Sequence, residues 1–263
     1  MSSKSLYLRC SWLTLGALVC ALAMPAGWVR ADEHPLVPEL ALLEEAIERV
    51  ESEVRDYSCK FIKRERVNGK LLDHQIIYLR VRHQPFSVYM YFLAPDDVKG
   101  RQVVYIAGKN DGNLLALSEG LVGKLGPILL APDSPLAMED QRYPITNVGM
   151  LNLMKLFHEV CQADQQHDGC RVRRVNGAKV GKRACTVTEV VHPEKRDGMK
   201  YHKARIFFDN ELQVPIRFEA YLWPEKDGEE PPLLEEYMYT NLKLNQDYED
   251  DDFTIRLNVS RKN

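Results

Sequence analysis

Residues 86–93, FSVYMYFL, constrain this chain more than any other segment. As a β-strand they send Phe86, Val88, Met90 and Phe92 to one face and Ser87, Tyr89, Tyr91 and Leu93 to the other. An antiparallel strand over a one-sided core alternates apolar with polar. This strand is apolar on both sides, so something other than water must cover each. Either a conventional core wraps it, or one side lines a greasy cavity. The helices and the long loop described next supply a cover for one face only. The other face is therefore expected to be an exposed apolar patch suited to docking.

The surroundings are rich in strands. Residues 36–54 read as an amphipathic helix, with Leu36, Leu40, Leu43, Ile47, Val50 and Val54 on one stripe and mostly glutamates opposite. Such a helix needs a sheet to lie against. Strands are expected at 57–67 and 70–82, around the Asn68-Gly69 turn, then at 86–93, 101–107 and 113–118. Residues 119–146 interrupt them with Gly and Pro, yet carry Leu121, Val122, Leu125, Ile128, Leu129 and Leu130. That loop reads either as a plug in one end of a barrel or as a movable lid over a cavity. A second helix is expected over 147–163, capped by Thr146 or Asn147, with Met150, Leu153, Met154, Phe157, Val160 and Cys161 as its stripe. A second meander follows at 169–175, 183–191, 203–209, 213–222 and 233–244. The expected class is α+β and mainly β: one strongly curved antiparallel sheet of about ten strands, with helices packed on its concave side, in a single domain over 32–263.

The leading residues point to export. Lys4 and Arg9 precede an apolar stretch at 11–23 that is too short for a membrane span and has the proportions of a signal peptide over 1–31. Those residues hold three of the 35 basic side chains and none of the 38 acidic ones, so the remainder carries a net charge of −6. That balance argues against nucleic acid as a partner. A soluble periplasmic or otherwise exported protein is expected, of unknown oligomeric state. Beyond the signal lie Cys59, Cys161, Cys170 and Cys185, enough for two disulfides in three connectivities. A four-residue loop at 176–179 would set Cys170 opposite Cys185, leaving Cys59 for Cys161. Free buried thiols are the alternative.

Catalysis needs a constellation, and the sequence offers none of the usual ones: no GxSxG, HExxH, P-loop, GxGxxG or CxxC. Among the seven histidines only His192 and His202 sit where successive strand ends could bring them together. The acidic run at 247–252 lacks the spacing of a calcium loop. Lys60, Lys63, Arg64 and Arg66 read as the solvent-facing side of an edge strand. No catalytic residue, metal or cofactor is expected. The apolar inward set is left to carry function: Phe61, Tyr78, Phe86, Val88, Met90, Phe92, Ile106, Phe207, Phe218 and Tyr237 are the candidate cavity lining.

The order of parts, with VRHQPFSVYMYFLAP, HPEKRDGMKYHKARIFFDNELQVPIRFEAYLWP and LLEEYMYTNLKLN as its strongest segments, resembles a planctomycete-type family of exported bacterial proteins. That family is in turn similar to the LolA/LolB-like outer-membrane lipoprotein-sorting superfamily. The resemblance covers about residues 38–258. It implies an unclosed half-barrel whose cavity holds an acyl chain of a lipid or lipoprotein. It also implies a lid formed here by Leu125, Ile128, Leu129 and Leu130, latched by an arginine near the Pro-Phe step, Arg82 or Arg80. A non-enzymatic carrier-like protein of the envelope is expected. The alternative is an interaction or sensor module whose core is filled and whose rim meets an envelope protein partner.

Overall fold

The computed structural model describes residues 33–118, 126–226 and 228–256. The export segment expected over 1–31 and Leu121, Val122 and Leu125 of the long loop lie outside the described residues. Helix α1 (Val37–Glu53) starts with a proline in its first turn, where a missing N–H costs nothing, and buries Leu40, Leu43, Ala46 and Val50. Helix α2 (Met150–Asp164) starts after a 3-10 turn at Ile145–Asn147, slightly later than its expected cap. Its entry is held by Tyr57, whose Oη accepts the Met150 N–H at 2.9 Å. Gly149 precedes it at φ 115°, and a Cβ there would stand 3.1 Å from the same oxygen, so only glycine fits. Among the described residues no helix is long and apolar enough to cross a membrane.

The strands are β1 (Asp56–Val67), β2 (Lys70–Leu71), β3 (Gln75–Arg82), β4 (Ser87–Ala94), β5 (Gln102–Ile106), β6 (Leu114–Leu117), β7 (Ile128–Leu130), β8 (Arg171–Val180), β9 (Arg183–Val191), β10 (Lys203–Asp209), β11 (Pro215–Tyr221) and β12 (Leu233–Leu244). They form one antiparallel sheet in the order β7-β6-β5-β4-β3-β1-β12-β11-β10-β9-β8, with β2 paired only to β1. The ends β7 and β8 do not pair, so the barrel stays open. Buried residues of both helices join one cluster with residues from β1, β3 and β4 and from β9 to β12, so the sheet curves around the helices. This is the expected half-barrel with two short strands added.

β1 is central rather than an edge. It pairs with β3 on one side and β12 on the other, with Phe61 opposite Ile77 and Tyr239. Strand parity puts Tyr57, Cys59, Phe61, Lys63 and Glu65 on the helix side, all buried. Lys63, expected in solvent, is only 7% exposed.

The strand read as apolar on both faces is covered on both except at its end, where Leu93 is 39% exposed. Val88, Met90 and Phe92 of β4 join the main core, while Tyr89 packs on the outer face with Val104, Ile106 and Phe253. The cover there is the segment after β12, residues 245–256, laid across the sheet as a strap. The expected exposed patch is therefore absent at this strand. The outer face of the second half needs no cover. Arg173, Glu189, Arg205, Glu219, Arg217 and Glu236 cross β8 to β12 there as a ladder of ion pairs 2.5–3.2 Å long.

The expected disulfides do not form: Cys59, Cys161, Cys170 and Cys185 are all free and buried. The reason is register. β8 runs on through Asn176-Gly177, where a bulge absorbs the glycine, and the hairpin turns instead at Gly181 and Lys182, after Val180 pairs with Arg183. Cys185 therefore faces Ala178, and Cys170 lies at the far end of the hairpin, next to Arg171, which pairs with Val191.

Candidate functional site

Between α2 and strands β1, β11 and β12 the core is not filled. A cavity of about 360 Å³ lies there, and most of its wall is apolar. Phe61, Met90, Phe218 and Tyr239 come from the sheet, and Leu153, Leu156, Phe157 and Val160 from α2. Phe61 stacks on Tyr237 at 5.9 Å, and Phe218 stacks on the same ring at 6.3 Å, so an aromatic floor runs across three strands. Asn147 and Lys200 are exposed lining residues and mark where the cavity meets solvent.

One end is polar and buried. Lys63 and Glu65 end the inward set of β1, Glu235 begins that of β12, and residues 141–143 close over them. Glu65 Oε1 accepts the Tyr237 hydroxyl at 2.7 Å, and its Oε2 accepts Lys63 Nζ at 3.0 Å and the Arg142 backbone N–H at 3.2 Å. Glu235 Oε2 accepts Arg142 Nε at 2.7 Å, and its Oε1 accepts the Tyr143 hydroxyl at 3.3 Å. Lys63 also donates to Gln141 Oε1. Burial pushes the Glu235 carboxyl above its ordinary value, with Arg142 opposing that shift and Glu65 adding to it. Burial works against the charge of Arg142, yet Glu235 beside it leaves the guanidinium more basic than usual. The arrangement is two cations and two carboxyls in one closed wall. It can orient a polar group, and nothing in it resembles a nucleophile with its base.

The sequence-predicted residues divide. Phe61, Met90, Phe218 and Tyr237 come together in the lining. Val88 and Phe92 share that face but sit in the packed core, and Phe86 lines a separate groove. Tyr78 and Ile106 point to the outer face, with the strap cluster. Phe207 also points away from the helices: its neighbours Ile206 and Phe208 face α1, and its ring lies 5.4 Å from the Arg217 guanidinium. Ile128, Leu129 and Leu130 form the edge strand β7 rather than a lid, and Ile128 and Leu129 are exposed. Arg80 and Arg82 latch the strap, not the loop. Arg80 Nη1 donates to the Asp252 carbonyl at 2.9 Å, and Arg82 Nη2 donates to Asp250 Oδ1 at 2.6 Å. Sequence reading missed Lys63, Glu65, Arg142 and Glu235. For three of them strand parity was the available signal, since 63 and 65 share the face of Phe61, and 235 that of Tyr237.

A model of the DUF1571 family, proteins of unknown function, matches residues 54–258, which include the whole cavity lining. The chain belongs to that family. No curated protein sequence matches this DUF1571 protein. Among solved structures it is similar to a DUF1329 family protein from Desulfovibrio piger, at 13% identity over 84% of this chain and 98% of that one, TM-score 0.41. It is also similar to a LolA superfamily protein from Nitrosomonas europaea, at 12% identity over 82% and 97%, TM-score 0.35. The Mycobacterium tuberculosis lipoprotein LppX is similar at 12% identity over 78% and 93%, TM-score 0.43. A LolA superfamily member thus stands among the similar structures, as the resemblance implied.

The histidine pair of this DUF1571 protein does not converge. The buried His192 ring has its Nε2 2.9 Å from Asp164 Oδ2 of α2, out of line for a hydrogen bond. His202 turns its Nδ1 to the backbone carbonyl of His192 at 2.8 Å, which also accepts Trp223 Nε1–H at 3.0 Å. Cys170 lines a 250 Å³ pocket with His192, but burial pushes its thiol up to about 11, far from a thiolate. A larger groove of 860 Å³ beside His83 has cations too, each matched by an acid: Arg55 by Asp247 at 2.6 Å and Lys155 by Glu51 at 2.5 Å.

Proposed function

We propose that this protein binds one apolar chain, such as an acyl chain of a lipid or lipoprotein, in the cavity between α2 and the sheet. It would act as an exported, non-enzymatic, carrier-like protein of the cell envelope. The observation that carries the reading is an unfilled, largely apolar space of about 360 Å³ between α2 and the sheet. That volume is at the small end of the roughly 300–1,000 Å³ usual for small-molecule sites, so it suits a single chain. Burial of a chain contributes about 0.8 kcal/mol per methylene, so a dozen methylenes supply about 10 kcal/mol gross. A module with a filled core is the poorer fit, because the space is there. The tail of a lipid is the natural occupant of a wall built from Phe, Leu, Met and Val.

The test is titration of purified protein with a neutral apolar fluorophore, N-phenyl-1-naphthylamine. Saturable one-site binding is expected. Leu156→Trp, which puts an indole into the cavity from the half-buried side of α2, is expected to weaken binding at least tenfold with little change in melting temperature. Absence of saturable binding by the intact protein would sink the proposal.

A further inference from the structure

The polar end of the cavity holds a buried ammonium with work left to do. An ammonium has three N–H groups. Lys63 spends one on Glu65 and one on Gln141, its side chain is only 9% exposed, and it lines the cavity. The carboxylates around it are taken. Both Glu65 oxygens accept hydrogen bonds, and Glu235 has Arg142 and Tyr143. Tyr237 has a single hydroxyl proton, and its 2.7 Å contact with Glu65 outcompetes its 3.3 Å contact with Glu235.

Each class of ligand head meets this wall differently. A bare hydrocarbon end leaves the third N–H of Lys63 desolvated and unmet, which is costly for a charged donor. An anionic head adds a negative charge beside Glu65 and Glu235. A cationic head meets Lys63 and Arg142. An uncharged oxygen acceptor, an ester or amide carbonyl, takes the remaining N–H and adds no charge to a wall that already balances. We infer that the cavity selects apolar chains ending in a neutral carbonyl, and that Lys63 is the residue that reads it. This rests on the proposed cavity binding and adds the head group to it.

The experiment is competition against bound N-phenyl-1-naphthylamine at pH 8 by methyl dodecanoate, dodecanoate and dodecane, with wild-type protein and Lys63→Met. In the wild type the ester is expected to compete at least tenfold better than either the carboxylate or the alkane. In Lys63→Met the ester's advantage over the alkane is expected to vanish while the probe still binds. A carboxylate that competes as well as the ester, held for instance by Lys200 at the mouth, overturns the inference, as does an alkane equal to the ester in the wild type. If Lys63→Met does not fold, the wild-type ranking of the three ligands still decides. No binding of the probe or of any competitor removes the cavity reading, and this inference with it. Probe binding with the wrong ranking removes only the inference.

Discussion

Replacing Phe253 by alanine asks whether the strap is held chiefly by one side chain. Phe253 is 1% exposed and packs on Tyr89, Val104 and Ile106. It meets Tyr248 edge-on at 6.2 Å and lies 5.0 Å from the Arg82 guanidinium. Burying a phenylalanine is worth about 1.5–3 kcal/mol, an aromatic pair about 0.5–1.5 and a cation–π contact about 0.5–2. Together these span about 2.5–6.5 kcal/mol, which brackets the cost of about 3–5 for Phe→Ala in cores. A strap has an escape that a central residue lacks, because it can detach and limit the loss. What would still hold it is Asp56, accepting the N–H groups of Gln246 at 2.6 Å and Tyr248 at 3.2 Å, and Gln102, which exchanges two hydrogen bonds with the Arg256 backbone. We therefore expect Phe253→Ala to lower stability by about 2–4 kcal/mol in urea, with a smaller m-value because surface on β3 to β5 is already exposed before the transition. Amide exchange over 248–253 should speed up in the same variant. A loss below about 1 kcal/mol with unchanged m-value and unchanged exchange would refute the reasoning.

Three further outcomes are expected. Burial raises the Glu235 carboxyl in the folded state above its ordinary 4.5, so its contribution is fully present below that value and is lost as pH rises through the folded value. Glu235→Gln should flatten the decline of urea-measured stability above that pH, and an equally steep decline in the variant counts against the assignment. Asp164→Ala removes a buried carboxylate that stands 2.9 Å from His192 without a hydrogen bond, so it should cost less than about 1.5 kcal/mol by thermal or urea unfolding, whereas a loss of about 3 kcal/mol or more would mean a buried ion pair. The four thiols are free, and burial pushes Cys161 up to about 12, so Ellman's reagent should react only after unfolding and dithiothreitol should leave the melting temperature unmoved. Prompt reaction of native protein, or a drop in melting temperature on reduction, would contradict this.

Periodicity carried much of the architecture. The 3.6-residue stripe located α1 and α2, and runs bounded by Asn-Gly and Asp-Gly turns located most of the sheet. Where turn chemistry and register competed, the sequence misled. Asn176-Gly177 is the stronger hairpin signal, yet the chain continues through it as a bulge, because pairing Val175 with Val187 and Val172 with Val190 extends β8 along β9. The role of 245–256 was hidden for a related reason. An acidic run reads as solvated until Arg80 and Arg82 on another strand are known to face it. The cavity was half legible. Its aromatic lining follows from parity, but its polar end joins Arg142 of the loop to side chains on β1 and β12, a meeting no local pattern announces.

The central place of β1 has a consequence for how the molecule is made. Its partner on one side, β3, lies just beyond a turn, but Lys63 pairs with Tyr237 across most of the chain. The two meanders, β3 to β7 and β8 to β12, can each zip up from local hairpins, whereas the seam between them must close a very long loop first. Such long-range antiparallel pairing is slow, and until it forms both β1 and β12 are open edges with unspent backbone donors and acceptors. The wall of charged residues that ends the cavity sits on that seam, with Lys63 and Glu65 on one side and Glu235 on the other. The cavity therefore closes only when this seam forms, and a chain stalled before it would be sticky and empty.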